Sequence, residues 1–373
     1  MDLLSEIVGQ RQLVRDVHES LESASRSGLL MGPALISADR WLERTLARVT
    51  LGFDAHPSGK LVWRLIALDT QPDDPESLSD HDLLGALGFI SGHLRTKFQG
   101  YLAEALAAGP ICQLLQALGA DDSQLRKAKL VWGDDIHVRP DHLPPTDSRR
   151  ELGPDALVAV ADEGVEPPRL TIMGLVEIKS YRESLKRLDA QLDKHARRVQ
   201  RAVQVEERWY FDNRFVARHN EHKVLRVVVL PCSGETVGRP QYVATPKGQV
   251  VVTVGGQEAP RPTRFVARHP TEQVITLGWS HPALVEAAFD MTAWYLGELG
   301  TRMFREHGVP AEWGDMTPAE AGLNTAKQAL YYAQLRAMPK WHAKQAMRLY
   351  NVYGFGYAAA ARATDTLWPQ DIP

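Results

Sequence analysis

Asp155, Glu177 and Lys179 are two acids and an amine set inside or at the edge of strand-like apolar runs, GPDALVAV (153–160) and MGLVEIKS (173–180). A strand core normally excludes such groups, because an unpaired charge leaving water costs several kcal/mol or else neutralises. Glu177 and Lys179 are two apart, so on a strand they project from one face while Ile178 points into the opposite layer. The two carboxylates offer hard oxygen ligands of the kind that suits magnesium or manganese. Acids that are costly in an apolar strand become favourable when they surround a cation, and the triplet therefore points to divalent-metal chemistry. The competing reading is a surface ion pair, Glu177 with Lys179, on a half-exposed strand.

Positioning these groups requires a hairpin. Leu157–Ala161 and Leu170–Ile178 read as two strands separated by DEGVEPPR, an antiparallel arrangement. A strand candidate at Lys129–Trp132 and a polar loop over 134–152 precede them. Residues 182–206 form the clearest amphipathic helix, with Leu185, Leu188, Leu192, Ala196, Val199 and Val203 at steps of three and four. Val224–Pro231 is too continuously apolar for an edge and reads as a buried strand. Upstream, Leu83–Ala108 carries a helical stripe that Gly109-Pro110 is expected to end. At the N-terminus, residues 1–25 and a segment capped at Ser37-Ala38-Asp39 read as helices. A hairpin of Val49–Phe53 and Leu61–Leu68 across Pro57-Ser58-Gly59 is expected to follow, then a polar linker over 71–82. Beyond the buried strand, short strands at Gln249–Val254 and Gln273–Leu277 lead to a helix from Pro282 to about His307 and a helical tail, Pro318–Ala363.

The order helix, strand, hairpin, helix, buried strand, with Pro154-Asp155 before the first hairpin strand and Glu177-Ile178-Lys179 ending the second, resembles the PD-(D/E)XK nuclease superfamily over roughly Leu83 to Pro231. Glu177 follows Asp155 by 22 residues, a spacing that fits two strands and a turn. The resemblance implies an α/β, restriction-endonuclease-like core, a central mixed sheet flanked by helices. It divides the chain into an N-terminal α+β module (1–78), the nuclease core (79–233) and a strand-containing extension with a C-terminal helical region (234–373). It also implies phosphodiester hydrolysis with Mg2+ or Mn2+, the cation held by Asp155, Glu177 and the Ile178 carbonyl. Lys179 would hydrogen-bond the attacking water and stabilise charge developing on the phosphate. Gln191 resembles the glutamine of the helix motif in RecB-type nucleases, although His195 stands where those often have tyrosine. A further acid on the helix before the first core strand is expected at Glu104, with Gln99 as the alternative.

Between 182 and 203 the helix carries seven basic residues against three acids. Lys194, Arg198 and Arg201 are the candidate phosphate contacts, an interaction blind to base sequence. The chain as a whole bears a formal charge of -3, so affinity for a polyanion must come from such a patch rather than from the average field. DNA is the substrate the resemblance implies, in bacterial defence, restriction or repair; a catalytically silent nuclease-fold protein serving as a binding or assembly subunit is the alternative. The tail, with Trp341 and Tyr350 among basic residues, is expected to be core or a homo-oligomer interface, and an activating protein partner fits the extra regions. Two cysteines without CxxC spacing read as buried thiols in a reducing compartment. With no basic-then-apolar start and no run near the ~18 apolar residues of a membrane span, the expectation is a cytoplasmic protein without membrane contact. His137, Asp141 and His142 cluster in sequence but supply no convincing zinc set. There is no GxxxxGK[ST], GxSxG or CxxC motif to support an ATPase, serine hydrolase or thiol oxidoreductase.

Overall fold

The computed structural model describes residues 3–31, 37–70, 85–86, 89–132, 137–139, 154–165, 168–181, 188, 190–197, 208–210, 215–219, 225–232, 241–244, 250–254, 257–258, 272–309 and 311–335. The chain forms two compact units from non-consecutive segments, where the sequence reading draws three consecutive ones. One gathers residues 1–9, 45–99 and 285–373, the other 10–44 and 100–284.

In the first unit the described residues are helical, which corrects the expected N-terminal α+β module. Val49–Phe53, expected as a strand, is the end of the helix Ala38–Ala55, and Leu61–Leu68 lies within the helix Pro57–Thr70. Thr45, Val49 and Phe53 are all buried, a spacing of four that belongs to a helix although VTLGF has the composition of a strand. Pro57 is the first residue of the second helix, where its missing N–H costs nothing, and the His56 Nδ1 accepts from the Ser58 N–H at 3.1 Å. Phe53 packs edge-on against Trp63, Phe89 and Tyr295.

The second unit is mixed α/β, built on a mixed sheet. Strands β1 (Lys129–Trp132), β3 (Ala156–Asp162) and β4 (Arg169–Ile178) are antiparallel neighbours, as the sequence predicts for the hairpin. The second half of β4 pairs in parallel with β7 (Leu225–Cys232), which pairs in parallel with β11 (Glu272–Ser280). The path β1-β3-β4-β7-β11 is thus a five-strand mixed sheet with β4 at its centre. The first half of β4 instead pairs with β6 (Phe215–His219), from which β5 (Arg208–Tyr210) and β2 (His137–Arg139) continue. Gly174 marks the change of partner: a Cβ there would stand 3.0 Å from both the Leu225 Cβ and its carbonyl oxygen. A separate three-stranded sheet holds β8 (Gln241–Ala244), β9 (Val250–Val254) and β10 (Gln257–Glu258). Within the expected loop 134–152, residues 137–139 are strand β2; Asp141, His142 and the linker 71–82 lie outside the described residues.

Gly109-Pro110 does not end a helix; the helix Arg95–Asp121 runs through it. Pro110 has no N–H for the Leu106 carbonyl four residues back, which normally breaks the ladder. The Ser20 hydroxyl repairs it by donating to the Ala105 and Leu106 carbonyls, at 2.7 and 3.0 Å, and accepting from the Gly109 N–H at 3.0 Å. Glycine at 109 permits this approach, since a Cβ would fall 2.7 Å from the Ser20 carbonyl oxygen. Residues 92–121 are long and apolar enough to cross a membrane by length and composition, yet most of that stretch is buried, as in a core helix. Both cysteines are free; Cys112 is buried, but Cys232 is half-buried rather than buried as expected.

Candidate functional site

Antiparallel pairing puts the start of β3 and the end of β4 at one edge of the sheet, and parallel pairing brings the end of β7 there too. The β3–β4 ladder reaches Ala156 opposite Val176. One step beyond, the Asp155 carboxylate takes the place of a strand partner: its Oδ2 accepts from the Ile178 N–H at 2.6 Å. On the other side, the Lys179 N–H donates to the Val229 carbonyl at 2.9 Å, so β7 pins the backbone just past the end of β4. The PD and EIK elements are therefore in direct contact.

Glu177 is 1% exposed. Its Oε1 receives both the Lys179 ammonium and the Gln191 amide N–H. Glu177 and Lys179 thus share a face as their spacing requires, but as a buried pair rather than a surface one. Glu177 Oε2 is buried and accepts no hydrogen bond among the described residues; His195 Nε2 lies 3.5 Å from it. Burial, reinforced by repulsion from Asp155, pushes the Glu177 carboxyl up to about 7 against the pull of Lys179 and Gln191. Burial draws the Lys179 ammonium down, but attraction to Glu177 and Asp155 outweighs it and the net shift is upward, so Lys179 stays charged at neutral pH.

Gln191 and His195 come from helical residues 190–197, one turn apart on one flank. Leu188 and Leu192 hold this segment on the sheet, packed in the same core as Leu157, Leu175, Val228 and Leu230. Leu175 and Glu177 alternate with Val176 and Ile178, so one face of β4 supplies both the helix's apolar seat and the carboxylate. From β7, the Arg226 Nη2 reaches Asp193 Oδ1 at 2.7 Å, a second tie between helix and sheet.

Asp155, Glu177, Ile178, Lys179 and Gln191 are thus brought together. Glu104 is half-buried on the helix Arg95–Asp121, and no group of three or more His, Cys, Asp and Glu side chains suited to a metal exists among the described residues. Gln99 is buried on the same helix. Lys194 is exposed, while Arg198, Arg201, Trp341 and Tyr350 lie outside the described residues. Sequence reasoning missed the Asp193–Arg226 tie and treated His195 only as a departure from a motif. The signals were present: an arginine inside the apolar strand VLRVVVLP, and the four-residue spacing of Gln191 and His195. Compared with protein-family models, with curated proteins and with solved structures, the chain matches none.

Proposed function

We propose that this chain is a divalent-metal-dependent nuclease of the PD-(D/E)XK type, hydrolysing phosphodiester bonds of nucleic acid, with DNA as the substrate. The observation that carries the reading is the joining of Asp155, Glu177 and Lys179 at one sheet edge by the Asp155–Ile178 and Lys179–Glu177 hydrogen bonds. The succession of antiparallel β1, β3 and β4, the helical segment 190–197, and β7 returning parallel to β4 supports a restriction-endonuclease-like core.

The residues fit a hard divalent cation. Two carboxylates face one ammonium, and burial with mutual repulsion holds Glu177 near neutrality. A buried carboxylate oxygen without a hydrogen bond is costly unless a ligand satisfies it. Asp155, Glu177 Oε2 and the Ile178 carbonyl would hold Mg2+ or Mn2+, which supplies positive charge against the phosphate and helps generate the nucleophile near neutral pH. Lys179, charged and anchored on Glu177, orients the attacking water and offsets charge developing on the phosphate oxygens. Gln191 fixes the Glu177 carboxylate, and Lys194 with Arg198 and Arg201 draws the nucleic-acid backbone in.

The test is incubation of purified protein with plasmid, linear duplex, single strands and RNA, each with Mg2+ or Mn2+. Cleavage is expected with duplex DNA and is expected to disappear with chelator. Asp155→Ala and Lys179→Ala should each lower the rate by on the order of 100- to 1,000-fold while the circular dichroism spectrum is kept. Wild-type rates in both variants would remove the site assignment.

A further inference from the structure

We propose that His195 is a positioning residue for the metal-binding carboxylate, its Nε2–H holding Glu177 Oε2 so that this oxygen presents one fixed lone pair to the cation. The inference rests on the metal-site reading above and assigns a role to a residue that reading does not use.

The geometry argues for it in three steps. Lys179 and Gln191 both bind Oε1, so the carboxylate is anchored by one oxygen and its remaining freedom is the swing of Oε2 about that anchor. His195 Nε2 stands 3.5 Å from Oε2, a few tenths of an ångström beyond an N–H···O bond. A carboxylate oxygen has two lone-pair directions, so an imidazole N–H on one leaves the other for the cation. Third, His195 is 7% exposed and one turn from Gln191, on the polar flank of a segment whose next face, Leu188 and Leu192, is apolar core. An apolar side chain would fill that place without the desolvation of an imidazole, and a ring nitrogen 3.5 Å from the carboxylate contributes to offsetting that cost. Gln191 thus holds one oxygen of Glu177, and His195 is placed to hold the other. Hydrogen-bonded partners of ligating carboxylates tune metal affinity in this way.

The experiment measures Mn2+ affinity by electron paramagnetic resonance titration on the full chain, for wild type, His195→Phe and His195→Gln. Phenylalanine keeps a ring and removes the nitrogen; glutamine restores an N–H at similar reach and guards against simple misfolding. The expected result is Mn2+ binding weakened about 10- to 100-fold in His195→Phe and restored to within a few-fold in His195→Gln. A metal-independent arm is a double-mutant cycle of His195→Phe with Glu177→Gln in chelator. It should show coupling of about threefold or more in the unfolding equilibrium constant. Mn2+ binding at wild-type strength by His195→Phe, with no coupling in the cycle, overturns the inference and leaves the metal site standing. A wild type that binds no Mn2+ overturns the inference together with the proposed function.

Discussion

Glu177→Gln should stabilise the cation-free protein at alkaline pH, although it removes a residue assigned to the active site. Raising a buried carboxyl from its ordinary 4.5 to about 7 makes the ionised form about 3 kcal/mol less favourable in the folded chain than in the unfolded one. That figure already contains the opposing pull of Lys179 and Gln191. Because the folded value lies above the unfolded one, the stability Glu177 contributes is full below about pH 4.5 and is lost as pH rises through about 7. Glutamine keeps an oxygen for Lys179 and Gln191 and carries no charge, so it resembles protonated Glu177 at every pH. In chelator the two proteins should melt together near pH 4.5, and the variant should melt higher at pH 8.5. A stabilisation of about 3 kcal/mol in a unit of this size corresponds to on the order of 5–10 °C.

Mn2+ then removes the difference. At a free concentration 100 times its dissociation constant, a ligand that binds only the folded state adds about 2.7 kcal/mol, enough to return the wild type to the level of the variant. The variant, short of one carboxylate, should respond weakly. The assay is thermal unfolding by circular dichroism across pH 4.5–8.5, with chelator and with Mn2+. If Glu177→Gln melts below wild type at pH 8.5 in chelator, the Lys179 ion pair outweighs burial and the repulsion by Asp155, and the reasoning fails.

Two further predictions concern the parts around the site. Replacing Lys194, Arg198 and Arg201 together with glutamine should weaken duplex binding and lower the slope of log affinity against log salt by roughly one unit per lost phosphate contact; fluorescence anisotropy at several salt concentrations measures it, and an unchanged slope returns these residues to a solvated helix face. Ser20→Ala should destabilise by about 1–3 kcal/mol, since it strands the Gly109 N–H and the carbonyls around Pro110 inside the protein. Urea unfolding tests this, with Ser20→Thr, which keeps the hydroxyl, as the control.

Strands β1, β3, β4, β7 and β11 and the meeting of Asp155 with Glu177 and Lys179 at the candidate site were legible in the sequence because their signals are local and agree with one another, whereas β2, β5 and β6 were not read. Leu157–Ala161 and Leu170–Ile178 are short, nearly continuous apolar runs separated by the turn-forming DEGVEPPR. VLRVVVLP is continuous because β7 is covered on both faces, and the helix between them has a clear apolar stripe. The N-terminal module was misread because VTLGF has strand composition and Pro57-Ser58-Gly59 has turn composition. The deciding fact, burial of Thr45, Val49 and Phe53 at spacing four, belongs to tertiary packing that overrides propensity. The helix through Pro110 was illegible for a similar reason, since the hydroxyl that permits it comes from Ser20, far away in the chain.

Pro110 and Glu177 each break a local rule, and the way each is accommodated separates structure from function. At Pro110 the chain supplies what is missing: Ser20 meets the Ala105 and Leu106 carbonyls and the Gly109 N–H, and what remains is an ordinary core helix. At Glu177 the chain goes only part of the way. Lys179 and Gln191 meet one oxygen, the other is buried at 3.5 Å from His195 without a hydrogen bond, and Asp155 adds a second negative charge beside it. A fold shaped only by stability would replace this carboxylate with an apolar residue, as the neighbouring positions of β4 do. Retaining an acid whose burial is incompletely compensated is what the proposed divalent cation, completing the compensation from outside the chain, would account for.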